Sequence, residues 1–431
     1  PVVHVDNPFV GADLYINPNY RANVLDEAAK VGGTLGTAMT KVADNSTAVW
    51  LDRIAAINGN EQTMGLRAHL DEALRQQNGN TPMTISLVIY DLPERDCAAA
   101  ASNGELLVDH DGLNIYKRDY IDTVASILSE PKYSGLRIVT LVEPDSLPNL
   151  LTNTDIPACA KAKSSGVYVD GVRYAVDRLS TIDNVYIYLD IAHSGWMGWP
   201  DNFSGAIQLY TSVLRGTAEG VNSIDGFITN TSNYTPVEEL FLPDNNRNVG
   251  GQPVRSSDFY EWNPYFDEKD FAVDLRLAFI DAGLPSDIGI LIDTSRNGWG
   301  GSQRPDSVSS SSDLNTYVNE SRLDRRPHRG GWCNQLGAGL GERPTAAPAA
   351  GIDAYVWAKP PGESDGVSSA GVVDPNNPDK KFDIMCDPNG QSTANSSYST
   401  NAMAGAPHAG RWFAEQFRML VENANPPLDN D

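Results

Sequence analysis

Polar side chains, most of them ionisable, follow six apolar segments of the sequence at the point where each segment ends. These six groups occupy residues 91–96, 143–146, 190–196, 230–233, 293–296 and 359–365. The carboxyl ends of parallel strands form one face of a β/α fold, and active sites lie on that face. A single carboxylate at such a position can simply cap a helix, but six groups together indicate a site. Many carboxyl groups and few histidines favour acid–base catalysis by Asp or Glu.

Six tryptophans lie close to the same segment ends: Trp50, Trp196, Trp199, Trp299, Trp332 and Trp357. Trp357 is inside an apolar segment and is expected in the core. Trp196 and Trp199 belong to the glycine-rich polar segment 193–202, where core packing is less expected. Flat aromatic rings beside carboxyl groups are typical of a glycosidase cleft.

The order of the elements predicts an α/β fold with a parallel sheet. Strand-like apolar segments occupy residues 14–16, 48–51, 85–90, 137–142, 185–189, 226–228, 289–292 and 354–357. Helix-like segments occupy residues 61–77, 116–129, 167–179, 205–218, 271–282 and 409–423. The strand segments are continuously apolar, which is typical of strands covered on both faces. Residues 1–431 are expected to form one domain, because barrels with insertions reach this length.

Composition limits the classes of function. The chain has 431 residues and a formal net charge of −24, which disfavours nucleic-acid binding. No apolar run approaches the 18 or so residues of a membrane span, so no membrane partner is expected. The six histidines form no metal-ligand pattern, and neither a metal nor another cofactor is expected.

The four cysteines are Cys97, Cys159, Cys333 and Cys386, and no C-x-x-C motif occurs. Four cysteines allow three pairings, which spacing alone leaves open. Together with the acidic balance and polar loops, they favour a secreted protein with two disulfides. The alternative is a cytosolic enzyme with four buried thiols.

Four motifs resemble glycoside hydrolase family 6: YDLPxRDCAA at 90–99, VEPDSL at 142–147, YLDxxHxGWxGWP at 188–200 and KPPGESDG at 359–366. The resemblance runs from about residue 10 to about residue 425. The last motif looks like the bacterial branch, since fungal members usually have Gly and Cys where Pro361 and Ser364 stand. The resemblance implies a distorted, incomplete, TIM-like β/α barrel with long active-site loops that hydrolyses β-1,4-glucan with inversion.

The resemblance also implies roles for individual residues. Asp145 stands where the family has its general acid, and Asp96 matches the aspartate thought to raise the pKa of that acid. Asp365 matches the aspartate proposed as base; either it accepts the proton directly, or the proton travels through water towards Asp96. Tyr90 matches the tyrosine beside the scissile sugar, and Ser102 the serine proposed to hold the catalytic water.

The remaining expected site residues bind substrate or support the acid. The substrate-binding set is Trp50, Trp196, Trp199, Trp332, His193, Asn230, Lys359 and Glu363. Asp190 and Arg95 are the supporting residues. By the same resemblance, Cys97 pairs with Cys159 and Cys333 pairs with Cys386.

Two long polar stretches, 296–331 and 360–408, leave carboxyl ends of strands and are expected to cover the cleft. Family members with long loops here are exo-acting and release cellobiose from the non-reducing end of cellulose. We therefore expect a secreted, monomeric cellobiohydrolase whose partner is the cellulose chain, with no binding module in this chain. The alternatives are an endoglucanase of the same family, a retaining glycosidase and a non-catalytic glucan-binding protein.

Overall fold

The computed structural model describes residues 3–428. Its strands are β1 (Asp13–Leu14), β2 (Val49–Leu51), β3 (Met83–Ile89), β4 (Arg137–Val142), β5 (Val185–Asp190), β6 (Gly226–Thr229), β7 (Asn248–Val249), β8 (Gln252–Pro253), β9 (Gly289–Asp293), β10 (Thr345–Ala349) and β11 (Ile352–Val356). Its helices are α1 (Pro18–Val31), α2 (Gly33–Val42), α3 (Ile54–Asn58), α4 (Leu66–Gln76), α5 (Gly112–Ile115), α6 (Asp122–Leu128), α7 (Asn149–Thr152), α8 (Pro157–Ser165), α9 (Val167–Leu179), α10 (Ser194–Met197), α11 (Pro200–Arg215), α12 (Glu268–Asp281), α13 (Leu314–Ser321) and α14 (Ala414–Glu422). A π-helical turn, Tyr116–Ile121, joins α5 to α6.

Nine strands form one curled sheet in the order β1–β3–β4–β5–β6–β9–β11–β10, with β2 also paired to β3. Every pairing in it is parallel except that of β10 with β11. The two sides of the sheet meet where the Ala48 amide donates to the Trp357 carbonyl oxygen at 3.1 Å. Within residues 3–428 no ladder joins β2 to β11, so the barrel is incomplete. The expected fold is confirmed.

Strand side chains pack on both faces of this sheet, as the continuously apolar segments predict. Along β3, Ile85, Leu87 and Ile89 pack outward against the helices, whereas Val88 packs into the barrel interior. The interior also contains Phe9 from the N-terminal segment. Covering both faces removes apolar surface from water on each side, which is the main stabilising contribution of such a sheet.

Helix α9 shows how the sequence directs the outer layer. Its residues Val172, Ala175, Val176 and Leu179 recur at three- and four-residue spacing and are all buried. Gly171 faces the Leu92 side chain so closely that an added Cβ would lie 2.4 Å from Cδ2. No helix in residues 3–428 combines the length and the apolar character that a membrane crossing requires.

The structure corrects the expectation for the stretch 296–331. Most of it belongs to a small lobe, in which Tyr317 and Val318 of α13 pack with Leu242, Val254 and Phe259. Only its last part reaches the cleft, through residues 328–330. The apolar positions of α13 are few, and this explains why no helix was expected there.

The stretch 360–408 lines the cleft through Asn376, Asn377, Lys380 and Ala394. It contacts the segment after β3, where the Ala100 amide donates to Asp383 Oδ2 at 2.7 Å. Asn103 donates through Nδ2 to the Asp379 carbonyl oxygen at 3.0 Å and accepts from the Lys381 amide at 3.2 Å. We call these contacts the roof contacts. The segment after β3 is thus a second roof element, which the sequence analysis did not anticipate.

Two disulfides join the loops near the carboxyl ends of the strands. Cys97 is bonded to Cys159, and Cys333 is bonded to Cys386, the pairing that the family resemblance implies. The second bond ties the segment after residue 331 to the middle of the covering stretch 360–408. Its sulfur atoms are buried beside Ala101, which belongs to the other roof element.

Removal of the Cys333–Cys386 bond is expected to destabilise the protein. A bond that closes a 53-residue loop restricts the unfolded chain, so the double variant C333S/C386S should lose about 2–4 kcal/mol in free energy of unfolding. Denaturant unfolding of the oxidised protein measures this. The matched variant C97S/C159S, which opens a loop of 62 residues, should show a similar loss. An unchanged unfolding midpoint for C333S/C386S would contradict the prediction.

Candidate active site

A cavity of about 1160 Å³ lies over the carboxyl ends of the strands. It brings together most of the residues that the sequence analysis selected. Those lining it are Trp50, Tyr90, Arg95, Asp96, Ser102, Asp145, His193, Trp196, Trp199, Trp332, Lys359, Glu363 and Asp365. They come from β2 itself, from the turns after β3, β4, β5 and β11 and from the segment between β9 and β10, so the parallel sheet is what assembles the site.

Several of these turns use left-handed backbone conformations. Glu143 and Asp145, just after β4, have φ of 52° and 55°, and Asp96, after β3, has φ of 52°. Non-glycine residues rarely adopt this region, and each such residue costs free energy that the surrounding packing must offset. Asn149 helps to hold the β4 turn, since its Nδ2 donates to the Asp145 carbonyl oxygen at 2.7 Å. The turns fix the directions of these carboxyl groups.

Asp145 has the electrostatics of a general acid. Burial and then the negative charge of Asp365 raise the pKa of its carboxyl group to about 6. The group therefore keeps its proton in mildly acidic solution, whereas an ordinary aspartate would lose it. A protonated carboxyl group that faces a sugar-sized cavity can donate to a leaving oxygen.

Asp96 and Asp190 are further carboxyl groups that interact with Asp145. Burial, together with the charge of Asp145, raises the pKa of each well above its usual range. The Tyr90 hydroxyl donates to Asp96 Oδ2 at 3.0 Å, and the Ala192 amide donates to Asp190 Oδ1 at 3.0 Å. Since neighbouring buried carboxyl groups cannot all ionise, this group of three retains protons.

Asp365 is in the opposite situation. Arg296 Nη2 donates to its Oδ1 and Arg296 Nη1 to its Oδ2, both at 2.8 Å, and the Tyr234 hydroxyl donates to Oδ2 at 2.6 Å. The Asn334 amide donates to Oδ2 at 2.8 Å, and Lys359 Nζ lies 3.5 Å from Oδ1. Burial opposes ionisation, but the charges of Arg296 and Lys359 hold the pKa of Asp365 below its usual value. Asp365 is therefore the ionised carboxylate of the site.

Arg95 connects three parts of the cavity wall. Its Nη1 donates to the carbonyl oxygens of Asp52 and Tyr90, its Nε to that of Ser102 and its Nη2 to that of Asn103. Its guanidinium carbon also lies 4.1 Å from the centre of the Tyr90 ring. These contacts fit the expected supporting role.

Three tryptophans of the cavity wall are fixed through their indole N–H groups. Trp50 donates to the Ala358 carbonyl oxygen at 2.7 Å, and Trp199 donates to the Glu261 carbonyl oxygen at 2.8 Å. The acceptor for Trp196 is the Thr152 hydroxyl, at 2.9 Å. An aromatic ring that is fixed before binding loses little conformational entropy when a sugar stacks on it.

His193 also faces the cavity, and it is held neutral there. Burial, together with the charges of Arg326 and Arg329, keeps the pKa of His193 well below its usual value. Its Nε2 lies 3.2 Å from Nδ2 of Asn233. A neutral imidazole can exchange hydrogen bonds with a sugar hydroxyl without adding charge beside Asp145.

Two residues of the expected set do not line the cavity. Asn230 is fully buried, and its Nδ2 donates to the carbonyl oxygens of Asp293 at 3.0 Å and Thr235 at 3.3 Å. The expected sugar-binding role of Asn230 is therefore wrong, because its amide is used to join β6 to β9. Asp190 lies behind the cavity wall rather than on it, where it can act only through Asp145.

Sequence reasoning missed the partners of Asp365. Arg296 belongs to one of the six polar groups, yet no motif gives it a role. Tyr234 and Asn334 are in irregular segments, and Asn334 donates through its backbone, which carries no residue-type signal. The buried position of Arg296, whose side chain has no exposed area, is visible only in the structure.

A family model for glycosyl hydrolases family 6 matches residues 9–424. The chain belongs to glycosyl hydrolases family 6. Exoglucanase A of Cellulomonas fimi is 50% identical over 99% of this chain. The chain spans only 49% of the length of that relative.

Solved structures show the same fold. The catalytic domain of Cellulomonas fimi Cel6B aligns with a TM-score of 0.95 and 48% identity, covering 99% of this chain and 97% of that domain. Cellobiohydrolase II (Cel6A) from Humicola insolens, in complex with glucose and cellotetraose, aligns with a TM-score of 0.75 and 31% identity. That alignment covers 98% of this chain and 99% of the other.

The first prediction for the site concerns Asp145. The variant Asp145→Asn removes the transferable proton, so hydrolysis of an unactivated glucan should fall by about a thousandfold. In the wild type, the rate should fall as pH rises through about 6, because Asp145 then loses its proton. Steady-state rates between pH 4 and pH 9 measure both effects. Wild-type rates for Asp145→Asn on cellulose would contradict the assignment.

A second prediction concerns Arg296. The variant Arg296→Lys keeps a positive charge but loses the paired hydrogen bonds to Asp365, so kcat should fall by about a hundredfold. The pKa of Asp365 should rise, moving the acidic limb of the pH–rate profile to higher pH. The exposed Arg118→Lys, whose side chain pairs only with Asp119 on the surface, is the matched control. An unchanged acidic limb in Arg296→Lys would contradict the proposed role.

Proposed function

We propose that this chain hydrolyses β-1,4-glucosidic bonds of cellulose with inversion and releases cellobiose from non-reducing ends. The observation that carries the proposal is the electrostatic contrast between two cavity carboxyl groups. Asp145 keeps its proton, because burial and Asp365 raise its pKa to about 6. Asp365 is ionised, because Arg296 and Lys359 hold its charge. One proton donor and one proton acceptor are what single-displacement hydrolysis requires.

In the proposed reaction, Asp145 gives its proton to the glycosidic oxygen as the bond from that oxygen to C1 breaks. A water molecule attacks C1 from the opposite face, and its proton passes directly to Asp365; in the alternative route, the proton travels through water towards Asp96. Ser102, on the cavity wall near Asp96, would hold that water. The products are a hemiacetal of inverted configuration and the free hydroxyl of the leaving chain. Two proton transfers then restore the starting state.

Other cavity residues would bind and shape the sugar. Tyr90, held by Asp96 and by Arg95, would press on the ring at the reacting position and favour its distortion. Lys359 and Glu363 would hydrogen-bond sugar hydroxyls, while His193 would do so on the other side of Asp145. Trp50, Trp196, Trp199 and Trp332 would be the stacking surfaces.

The roof contacts support the exo mode. They join the segment after β3 to residues 379–383 over the cavity, and Arg53 Nη1 adds a bond to the Asn376 carbonyl oxygen at 3.2 Å. A covered cavity favours entry of a chain by its end over binding in the middle of a chain. Exoglucanase A is named for this mode, whereas a relative from Fusarium oxysporum is named a putative endoglucanase type B. An endo-acting enzyme of the same family is the second candidate.

The proposal also includes the domain organisation, the oligomeric state and the secretion of the protein. Residues 1–431 would be one catalytic domain, acting as a monomer on cellulose chains. Secretion is supported by the two disulfides, which form in oxidising compartments. A non-catalytic glucan-binding role fits less well, since such a role does not require a protonated Asp145 beside an ionised Asp365.

The exo mode predicts a particular product pattern. On insoluble cellulose the enzyme should release mainly soluble cellobiose, and it should lower the viscosity of carboxymethylcellulose only slowly. Proton NMR of early products should show the α-anomer at the newly formed end, as inversion requires. A rapid fall in viscosity would favour the endo-acting candidate, and a β-anomer would favour a retaining enzyme.

The roof contacts allow a matched test of the exo mode. The variant Asn103→Ala/Asp383→Ala removes side chains from the contacts and should raise the share of new reducing ends left in the insoluble fraction by about twofold or more. Asp387→Ala is the control, because this carboxylate is in the same stretch and, among residues 3–428, bonds only to the nearby Asn389 amide. Equal shares in the two variants would contradict a covering role for the contacts.

A further inference from the structure

One aromatic side chain of the cavity wall has no role in the reaction described above. Trp412 lines the cavity, is half-buried and lies in the segment before α14. None of the four family motifs includes it. Its ring contacts Tyr20 edge-on at 6.2 Å between ring centres and Phe417 at 5.0 Å. The ring is thus supported from behind while it borders the cavity.

The backbone places Trp412 directly opposite Glu363. The two residues form an antiparallel bridge, flanked by bonds from the Ser364 amide to the Arg411 carbonyl oxygen and from the Phe413 amide to the Gly362 carbonyl oxygen. This pattern defines a non-hydrogen-bonded pair, in which the Cα atoms are about 4.5 Å apart and the side chains leave the same face. Both residues line the cavity, so an aromatic ring and a carboxyl group border it side by side.

The polar atoms of this pair are available to a ligand. Among residues 3–428, no protein acceptor is found for the indole N–H of Trp412, whereas those of Trp50, Trp196 and Trp199 are bonded. The carboxyl group of Glu363 likewise has no hydrogen-bond partner in this part of the chain. Burial raises the pKa of Glu363 to about 7 despite the charge of Lys359. A free donor and a carboxyl group beside a flat ring match the hydroxyls and the apolar face of a glucose ring.

The pair of Trp412 and Glu363 lies beyond Trp50 along one wall of the cavity. The segment 358–363 begins at the Trp50 indole, which donates to the Ala358 carbonyl oxygen. It continues to Pro361, whose carbonyl oxygen accepts from the Tyr20 hydroxyl at 2.8 Å. Trp196 and Trp199, in contrast, follow β5, on the other side of β4 and Asp145. The ring of Trp412 therefore belongs to the Trp50 end of the cavity.

Gly362 allows the backbone to pack directly against the ring of Trp412, because it has no side chain. A Cβ built on Gly362, which has φ of +99°, would lie 2.7 Å from a ring carbon of Trp412. Only glycine allows the backbone to pass under the ring this closely. The contact, together with Tyr20 and Phe417, fixes the ring before any ligand binds.

We propose that Trp412, beside Glu363, forms an additional binding position for one β-linked glucosyl unit at the Trp50 end of the cavity. The proposal rests on the proposed function, since it assumes that a glucan occupies the cavity. A chain that advances by one extra unit would place its end on Trp412. The enzyme would then release cellotriose as a minor product beside cellobiose.

The product ratio tests this position. Cellopentaose labelled at its reducing end yields labelled cellotriose when cellobiose is released and labelled cellobiose when cellotriose is released. The variant Trp412→Ala should lower the early share of cellotriose release about tenfold, which corresponds to the loss of about 1.4 kcal/mol of binding. Trp412→Phe, which keeps a supported ring but loses the N–H, should lower that share by a smaller factor. Trp262→Ala is the control, because Trp262 is 55% exposed and does not line the cavity.

Binding to an inactive protein gives a second readout. In an Asp145→Asn background, calorimetry should show that adding Trp412→Ala weakens cellopentaose binding by about tenfold. Unchanged affinity and an unchanged product ratio in Trp412→Ala would overturn this inference alone, since the wild type would still release cellobiose. Absence of both hydrolysis by the wild type and binding by Asp145→Asn would overturn the proposed function itself. Trp412→Phe keeps the test valid if Trp412→Ala unfolds.

Discussion

Placement of charge among buried carboxyl groups is the constraint on which the site depends. Several carboxyl groups meet there, but the guanidinium of Arg296 bonds to only one of them, Asp365. Removing an ion from water is costly unless a partner and hydrogen bonds compensate, and Asp365 has both. Asp96, Asp145 and Asp190 lack such a cation, so their protons remain. The contrast between an ionised Asp365 and a protonated Asp145 thus follows from where Arg296 and Lys359 lie.

The arrangement also needs rigid turns, since a carboxyl group displaced by 1 Å would lose its partner. Left-handed residues after β3 and β4 supply sharp turns that ordinary helical or extended backbone cannot make. Arg95 holds three of the wall segments together through backbone carbonyl oxygens. Each of these segments starts from a strand of one sheet, and the sheet is buried on both faces. The exact positions of the carboxyl groups therefore depend on the packing of the sheet beneath the site.

Much of the fold and of the candidate site could be predicted from the sequence, because the signals lie within single short segments of the chain. The segments of β3, β4 and β5 are continuously apolar, and the carboxyl groups come directly after them. The long motifs selected Asp145 and its cavity neighbours for the same reason. Asn230 was misjudged, since its place after β6 resembles that of a ligand-binding residue although its amide joins two strands. Helices α1 and α2 and the edge strand β10 were missed, because few of their residues are buried.

The partners of Asp365 could not be predicted, because they depend on contacts between distant parts of the chain. Arg296, Tyr234 and Asn334 come from three segments and meet only when the sheet curls. A backbone donor such as the Asn334 amide has no signature in residue type.

The roof contacts have a consequence for the order of folding. The Ala100 amide and the Asp383 carboxylate are separated by 283 positions in the chain, and Asn103 and Asp379 by 276. Contacts this distant form late, because the entropy of closing so long a loop must be met before they contribute. During synthesis the strands that carry Asp96 and Asp145 emerge long before residue 383. The part of the cavity wall that these contacts join is therefore completed among the last parts of the molecule, after the turns that hold Asp96 and Asp145.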